Sequence, residues 1–387
     1  MTELNKTSLD SGDLPVSILF ITTSYPKNHS DWKGIFIRQL LTALSELSQL
    51  DLRYWGPPGT LPARVTCACT ESESKWLVWL MNKGGIAHLV RQRNFRSLTV
   101  AAHLILYLFR VYQRQNSVEL LHLNWLQTCL PLWKGRTPVL ITVLGSDYAL
   151  LRVPGMKMLL RAVIKRRKCI LAPNADWMKT ELQRKFGDIA NIVTIPLGID
   201  AEWFRVTRDV FSDDRCRWLV VSRLTKRKIG PLFSWSENFF SNNPHHELHL
   251  FGPMQEEMAI PAWVNYHGST FPDELREKWF PQATGLITLS AHDEGRPQVM
   301  LEAMAAGLPI VASNIPAHDN FIYDKKTGIL VQSQQEYCQA IEWLSQSVNN
   351  KKIADAARHW VKEEIGTWSD CACRYIKAYQ MLLDENK

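Results

Sequence analysis

Two glutamates, Glu294 and Glu302, are separated by seven residues in the stretch GLITLSAHDEGRPQVMLEAMAAGLPIVAS, residues 285–313. A short apolar run ends near Ser290, Asp293 and Glu294 occupy the turn that follows, and Pro297 is expected to open a helix at its first position, the one proline favours. Gly307 ends that helix and a second apolar run follows. This is the pattern of a strand–helix–strand unit whose loop lies at the carboxyl end of a strand, where open α/β sheets bind ligands. Free amides at the new helix N-terminus attract anions, and Gly295 lets a ligand come close to the backbone, so the spot suits a phosphate. Glu302 sits inside the helix among Met300, Leu301, Ala303 and Met304. A carboxylate there either faces solvent or, if buried, needs a hydrogen-bonding partner. A second cluster, VVSRLTKRKIG, gathers Arg223, Lys226, Arg227 and Lys228. Read plainly it is a solvated basic loop, and read chemically it is a set of fixed cations for a developing negative charge.

These residues need a scaffold, and the rest of the chain supplies its pattern. Short runs rich in β-branched residues alternate with longer helical patterns, the reading of a parallel-sheet α/β protein. Expected strands are Val16–Thr22, Leu120–Leu123, Val139–Val143, Cys169–Leu171, Trp218–Val221, Glu247–Phe251, Gly285–Leu289 and Ile310–Ala312. Helices are expected to start near Gly34, Gly155, Ala175, Glu274, Pro297 and Gln335. No repeat of solenoid period occurs. A chain of 387 residues has room for two domains. The weakest patterning, around Arg205 to Arg217, marks the expected linker, giving an N-terminal domain over 14–204, a linker over 205–216, a C-terminal domain over 217–365 and a terminal segment over 366–387.

Charge divides along the same line. Residues 1–205 hold 26 basic and 15 acidic side chains and residues 206–387 hold 19 and 23, a net +11 against −4. Two acid-free blocks, 74–118 and 148–175, carry most of the excess. The first interleaves Trp76, Trp79, Leu104, Leu108 and Phe109 with Lys and Arg, and the second sets Arg161, Lys165 and Lys168 beside Leu159, Leu160, Val163 and Ile164. Basic helices with an apolar face suit an anionic membrane surface, and the plain alternative is a core-facing helix with a solvated basic side. No nucleic-acid-binding motif accompanies the charge, so nucleic acid is not an expected partner. The longest stretch without Lys, Arg, Asp or Glu is 16 residues, Ala303 to His318, too short and too rich in Gly and Pro to span a bilayer. The acidic start MTELNKTSLDSGDLP does not read as a secretory signal, and eight scattered cysteines read as thiols of a reducing compartment. The pairs Cys67/Cys69 and Cys371/Cys373 lack the usual zinc spacing.

EGRPQVMLEAMAAGLPIVAS resembles the E-x7-E signature of the retaining family 4 glycosyltransferases of GT-B fold. Four further segments are similar. VVSRLTKRKIG resembles the segment whose Arg and Lys hold the nucleotide diphosphate, here Arg223 and Lys228, with Ser222 where glycine is common and Ile229 inserted before Gly230. SYPKNHSDWKGIFIRQL resembles the first donor-side loop, whose glycine is Gly34. IPLGIDAEWF resembles the segment with Gly198, Ile199 and Asp200. TWSDCACRYIKAYQMLL resembles a terminal helix that crosses back onto the N-terminal domain.

The resemblance implies an α/β protein of two Rossmann-like parallel-sheet domains facing a cleft. It implies a metal-independent, retaining transfer of a sugar from a nucleotide diphosphate sugar to a hydroxyl of a glycan or lipid-linked glycan, in envelope polysaccharide, lipopolysaccharide or glycolipid synthesis. The chain also lacks an Asp-x-Asp triplet, the metal-binding signature of the other large transferase fold. Glu294 would contact sugar hydroxyls, Glu302 the ribose, Arg223 and Lys228 the diphosphate, and Gly34, Gly295, Arg296 and Pro297 would line the donor. No cofactor or metal is implied. One position departs from the pattern: in TVLGSDYALL, Leu144 stands where a histidine commonly precedes Gly-Ser-Asp, so either Asp147 or another group such as His122 compensates, or turnover is reduced. A scaffold protein that keeps the nucleotide-sugar fold without catalysis, or a related epimerase or phosphorylase, is the alternative. The expected setting is the cytoplasm, peripheral on the inner face of the membrane.

Overall fold

The computed structural model describes residues 15–28, 31, 34–86, 89, 95–209, 214–292 and 295–384, and Asp293 and Glu294 lie outside them. The chain forms two compact units, 1–174 with 178–195 and 371–387, and 175–177 with 196–370. The passage at 195–196 falls ahead of the polar stretch 205–216 that composition marks as a linker. Ile199, Trp203 and Val206 are buried in the core of the second unit, and the Ile199 amide donates to the Gly366 carbonyl at 3.1 Å, so the segment before 205 is part of that unit.

The first unit is built on seven strands: β1 (Val16–Ile21), β2 (Leu50–Trp55), β3 (Val65–Cys67), β4 (Leu120–Asn124), β5 (Val139–Val143), β6 (Cys169–Pro173) and β7 (Asn191–Ile192). They lie in the order β3-β2-β1-β4-β5-β6-β7, with every pair parallel. β4, β5 and β6 are buried along their whole length, which is why they read as continuous apolar runs. β2 alternates buried and half-buried residues in LDLRYW, and β3 and β7 are short edge strands, so none of the three gave a run in the sequence.

Helix Phe95–Arg114 turns Val100, Leu104, Leu108 and Val111 into the core, and helix Met156–Ile164 does the same with Leu160, Val163 and Ile164. The apolar residues Leu104 and Leu108, expected as part of a membrane face, therefore pack inside. Trp79, Leu98, Leu106, Met158 and Leu159 remain exposed. Among the described residues no helix is long and apolar enough to cross a membrane.

The last helix, Trp368–Leu383, belongs to the first unit from Cys371 onward. Its attachment is polar and buried. Tyr379 Oη lies 2.6 Å from His122 Nδ1, Thr142 Oγ1 lies 3.0 Å from His122 Nε2, and Tyr375 Oη lies 2.9 Å from Thr142 Oγ1. The Tyr375 ring stacks on the imidazole at 4.9 Å. Both ring nitrogens of His122 are thus engaged inside the core, so it does not replace the histidine missing at Leu144.

The second unit holds β8 (Cys216–Val221), β9 (His246–Phe251), β10 (Val264–Gly268), β11 (Gly285–Thr288), β12 (Ile310–Ser313) and β13 (Ile329–Val331), ordered β10-β9-β8-β11-β12-β13 and again all parallel. β10 carries mostly exposed residues and β13 is three residues long, which hid both from the sequence. Arg208 fastens the incoming chain: its guanidinium donates to the carbonyls of Ala283 at 2.7 Å and Thr284 at 3.1 Å and to Asn350 Oδ1 at 3.0 Å. Arg358 donates to the carbonyls of Phe204 and Val206.

Burial pushes the His122 pKa down to about 3, against an ordinary 6.5. In the unfolded chain the ring takes a proton below pH 6.5 while the folded ring stays neutral. Stability is therefore lost progressively as pH falls from about 6.5 toward 3. His122→Phe should be less stable at neutral pH, because Tyr379 and Thr142 lose a partner, and should show a shallower acid decline in urea midpoints between pH 7 and 4.

Candidate functional site at the mouth of the second sheet

In the second sheet the strand order reverses between β8 and β11, and the carboxyl ends of those two neighbours form the topological switch point where such sheets bind ligands. The loop after β8 carries Arg223 and the one-turn helix Lys226–Ile229, capped by Thr225, whose hydroxyl accepts from the Lys228 amide at 3.3 Å. Arg223 is exposed and Lys228 half-buried. Two glycines hold this loop in place. Gly252, after β9, has φ +133°, and a Cβ on it would lie 1.7 Å from the Ser222 carbonyl oxygen. Gly230 has φ +54°, and a Cβ there would lie 2.1 Å from the Leu289 carbonyl oxygen. Neither position admits a side chain.

The Ala291 amide donates to the Arg227 carbonyl at 2.8 Å, and the Arg227 guanidinium donates to the Ala291 carbonyl at 3.2 Å. The basic loop after β8 is thereby laced to the loop after β11, which runs through Ser290 and His292 to Gly295. Ser313, at the end of β12, donates to the Ser290 carbonyl at 2.6 Å and steadies the same turn from the other side.

Helix Gln298–Ala305 begins there, with Pro297 as its N-cap rather than its first residue. The difference lies in ψ: Pro297 has the helical φ of −65° that its ring imposes, but its ψ of 116° is extended. Gly307, φ +76°, follows the C-cap as expected. Gly295 is buried and its carbonyl accepts from Trp177 Nε1 at 3.0 Å. Arg296 is buried as well, and its guanidinium is held by protein: Asn320 Oδ1 at 3.1 Å, Asp176 at 3.6 Å and the Phe321 ring, 5.6 Å from its centroid. Arg296 thus braces the loop from behind.

Glu302 is half-buried in the helix, and among the described residues no hydrogen-bond partner meets its carboxyl. Burial, with a smaller push from the Asp200 carboxylate, raises its pKa from 4.5 to about 7. Asp200 comes from the Gly198–Ile199–Asp200 segment. A Cβ on Gly198 would lie 2.4 Å from the Thr367 carbonyl oxygen, and the Gly198 carbonyl accepts from Gln298 Nε2 at 2.7 Å. That bond pins the segment to the first turn of the helix, which brings two acids from distant parts of the sequence together. The site therefore offers a pair of cationic residues on an anchored loop, a helix N-terminus, and an unsatisfied carboxyl able to accept from hydroxyls.

Residues 233–347 match the model of a family described as Glycosyl transferases group 1. Solved structures match almost the whole chain. A sucrose-phosphate synthase from Thermosynechococcus elongatus aligns at 16% identity over 96% of this chain and 100% of its own, with a TM-score of 0.69. A UDP-forming α,α-trehalose-phosphate synthase from Burkholderia xenovorans aligns at 12% identity over 95% and 99%, TM-score 0.68. Anabaena Alr3699/HepE in complex with UDP-glucose aligns at 14% identity over 95% and 100%, TM-score 0.64. The fold is GT-B. No curated protein matches the chain.

Within that GT-B frame, Arg223, Lys228, Gly295, Pro297 and Glu302 all lie on the β8 and β11 loops or the helix that follows, and Glu294 lies outside the described residues. Gly34, φ +72°, caps helix Ile35–Ser45 in the first unit, where a Cβ would lie 2.8 Å from Ser24 Oγ. Asp147 lies in the 3-10 turn Ser146–Arg152 that follows β5. Asp200 was not singled out as a site residue, although the segment that carries it was recognised. Its approach to Glu302 depends on the Gln298–Gly198 bond, which spacing along the chain does not encode. Among the described residues no group of three or more His, Cys, Asp or Glu side chains is placed to hold a metal, the two Cys-Ala-Cys pairs included.

Glu302 has a raised pKa, so its contribution has the opposite sign to that of a paired carboxylate. The unfolded acid ionises near pH 4.5 and the folded one near 7, so stability is lost as pH rises through this window. Glu302→Gln should therefore raise Tm relative to wild type more at pH 8 than at pH 5. Gly252→Ala should lower stability by about 3 kcal/mol or more, read as a fall in urea midpoint, because its Cβ has no space.

Proposed function

We propose that this protein is a retaining glycosyltransferase that moves a sugar from a nucleotide diphosphate sugar to a hydroxyl of a glycan or lipid-linked glycan, in the synthesis of envelope polysaccharide, lipopolysaccharide or glycolipid. The observation that carries the proposal is the unpartnered, half-buried Glu302 carboxyl set behind the switch point that presents Arg223 and Lys228. Ribose hydroxyls donate to that carboxyl, which lowers its pKa, and the diphosphate meets the two cations. The family match over 233–347 and the UDP-glucose complex of the Anabaena protein support a nucleotide-sugar donor.

In this reading the bond from the sugar's anomeric carbon to the diphosphate oxygen breaks. A bond to the acceptor oxygen forms on the same face, and the acceptor proton passes to the departing diphosphate. Arg223 and Lys228 stabilise the charge on the leaving group, so no metal is required. Glu294 is assigned to the sugar hydroxyls and Asp147 to the acceptor hydroxyl. Acceptors of this kind are met at the inner face of a membrane. The exposed Leu98, Leu106, Met158 and Leu159, on the same helices as exposed Arg110 and Lys157, and the exposed Trp79 on helix Glu71–Asn82 support a peripheral enzyme on an anionic surface in the cytoplasm.

Calorimetry with UDP-, GDP- and ADP-sugars in the presence of chelator tests the donor site. One nucleotide sugar should bind. Glu302→Ala should weaken it on the order of tenfold or more, and Arg223→Ala by a similar factor with Tm unchanged, since Arg223 is exposed. A folded protein that binds none of these donors would overturn the proposal.

A further inference from the structure

Trp125 is held in a backbone conformation that side-chain-bearing residues avoid. Its φ is 70° and its ψ 141°, at the edge of a region occupied almost only by glycine. It follows β4 directly. In the first sheet the order reverses between β1 and β4, so Trp125 stands at that unit's own switch point.

The surroundings hold the residue there. Its amide donates to the Thr142 carbonyl at 2.9 Å, and its carbonyl accepts from Thr128 Oγ1 at 2.7 Å. The ring meets Phe36 edge to face at 6.4 Å, on the helix capped by Gly34, and stays half-exposed. A second unfavourable feature adjoins it. Asn124 is fully buried, its amide nitrogen donates to the Ile21 carbonyl at 3.0 Å, and its amide oxygen has no hydrogen-bond partner. Two consecutive residues that each destabilise the fold, at the point where parallel sheets bind ligands, mark a place where local stability has been given up for function.

We infer that Trp125 is the platform on which a pyranose ring of the acceptor lies, its flat face against the sugar's C–H face. This deepens the proposed function and rests on its reading of the acceptor as a glycan. A half-exposed indole fixed at both backbone ends presents a large apolar plane at little entropic cost, and the C–H face of a sugar ring packs flat on such a plane while its hydroxyl edge stays in water. The strain sets the direction of the ring: a relaxed backbone at this position would aim the side chain elsewhere. Trp125 is a binding and positioning residue in this account and takes no part in proton transfer.

An array of immobilised defined oligosaccharides, probed with the full chain in the absence of donor, tests the inference. Trp125→Gly accepts the backbone without strain, so its Tm should stay within about 2 °C of wild type or rise, while capture of the preferred glycan falls on the order of tenfold. Trp125→Phe and Trp125→Leu share the backbone strain and differ in the flat ring. The first should keep most of the capture and the second should lose it, which holds even where the glycine variant folds poorly. UDP-sugar binding by calorimetry should be equal in all four proteins. If wild type captures no glycan, or if the leucine variant captures as wild type does, Trp125 is no platform. Failure of the donor site alone would show as absent calorimetric binding with glycan capture still dependent on Trp125.

Discussion

The mouth of the second sheet depends on two backbone contacts that leave no room for a side chain. Gly252 lies against the Ser222 carbonyl and Gly230 against the Leu289 carbonyl, so the loops after β9, β8 and β11 meet main chain to main chain at these two points. Main-chain contact fixes distance more firmly than packing of flexible side chains, because no rotamer can change to absorb a shift. It also explains the division of labour among the basic residues. Arg227 is spent on the Ala291 carbonyl, and Arg223 and Lys228 ride on a loop whose path is already fixed. Both side chains therefore start from well-defined Cα positions.

Behind that framework the protein accepts a cost. A buried carboxyl is normally paired, as Glu73 is with Arg114 at 2.8 Å in the first unit. Glu302 is not, and Asp200 beside it makes matters worse. An arginine close by would have relieved both acids, and the nearest one in sequence, Arg296, is instead turned to Asp176, Asn320 and Phe321. Satisfying Glu302 internally would consume acceptor capacity that the proposed donor site requires. The first unit shows the same economy in a different form at Asn124 and Trp125, where an orphaned amide oxygen and a strained backbone lie side by side.

What the sequence made legible follows from how each feature is encoded. Fully buried strands such as Val139–Val143 appear as uninterrupted apolar runs and were placed to the residue, whereas Leu50–Trp55 alternates and was missed. The Glu-Gly-Arg-Pro segment and the basic loop were readable because their spacing is local. Arg296 was expected on the ligand because it lies in the motif, but the partners that take it, Asp176 and Asn320, are distant in sequence. Asp200 was overlooked as a site residue for the same reason. Leu104 and Leu108 read equally well as a membrane face or a core face, and periodicity alone cannot tell one apolar environment from the other. The strain at Trp125 has no sequence signature at all, since tryptophan gives no warning of a positive φ.

The histidine question shows how far a three-dimensional network outweighs type and position. His122 is the middle residue of β4 and is fully buried. Its two nitrogens are taken by Tyr379 and Thr142, and Tyr375 covers its face. The same bonds tie the last helix to the sheet, so releasing the ring for chemistry would loosen that helix. At Leu144, after the neighbouring strand β5, there is no titratable group. A free imidazole is therefore withdrawn from both positions for different reasons, one structural and one by residue type. In the proposed sugar transfer the departing diphosphate is then the recipient of the acceptor proton, since no imidazole at these two positions competes for it.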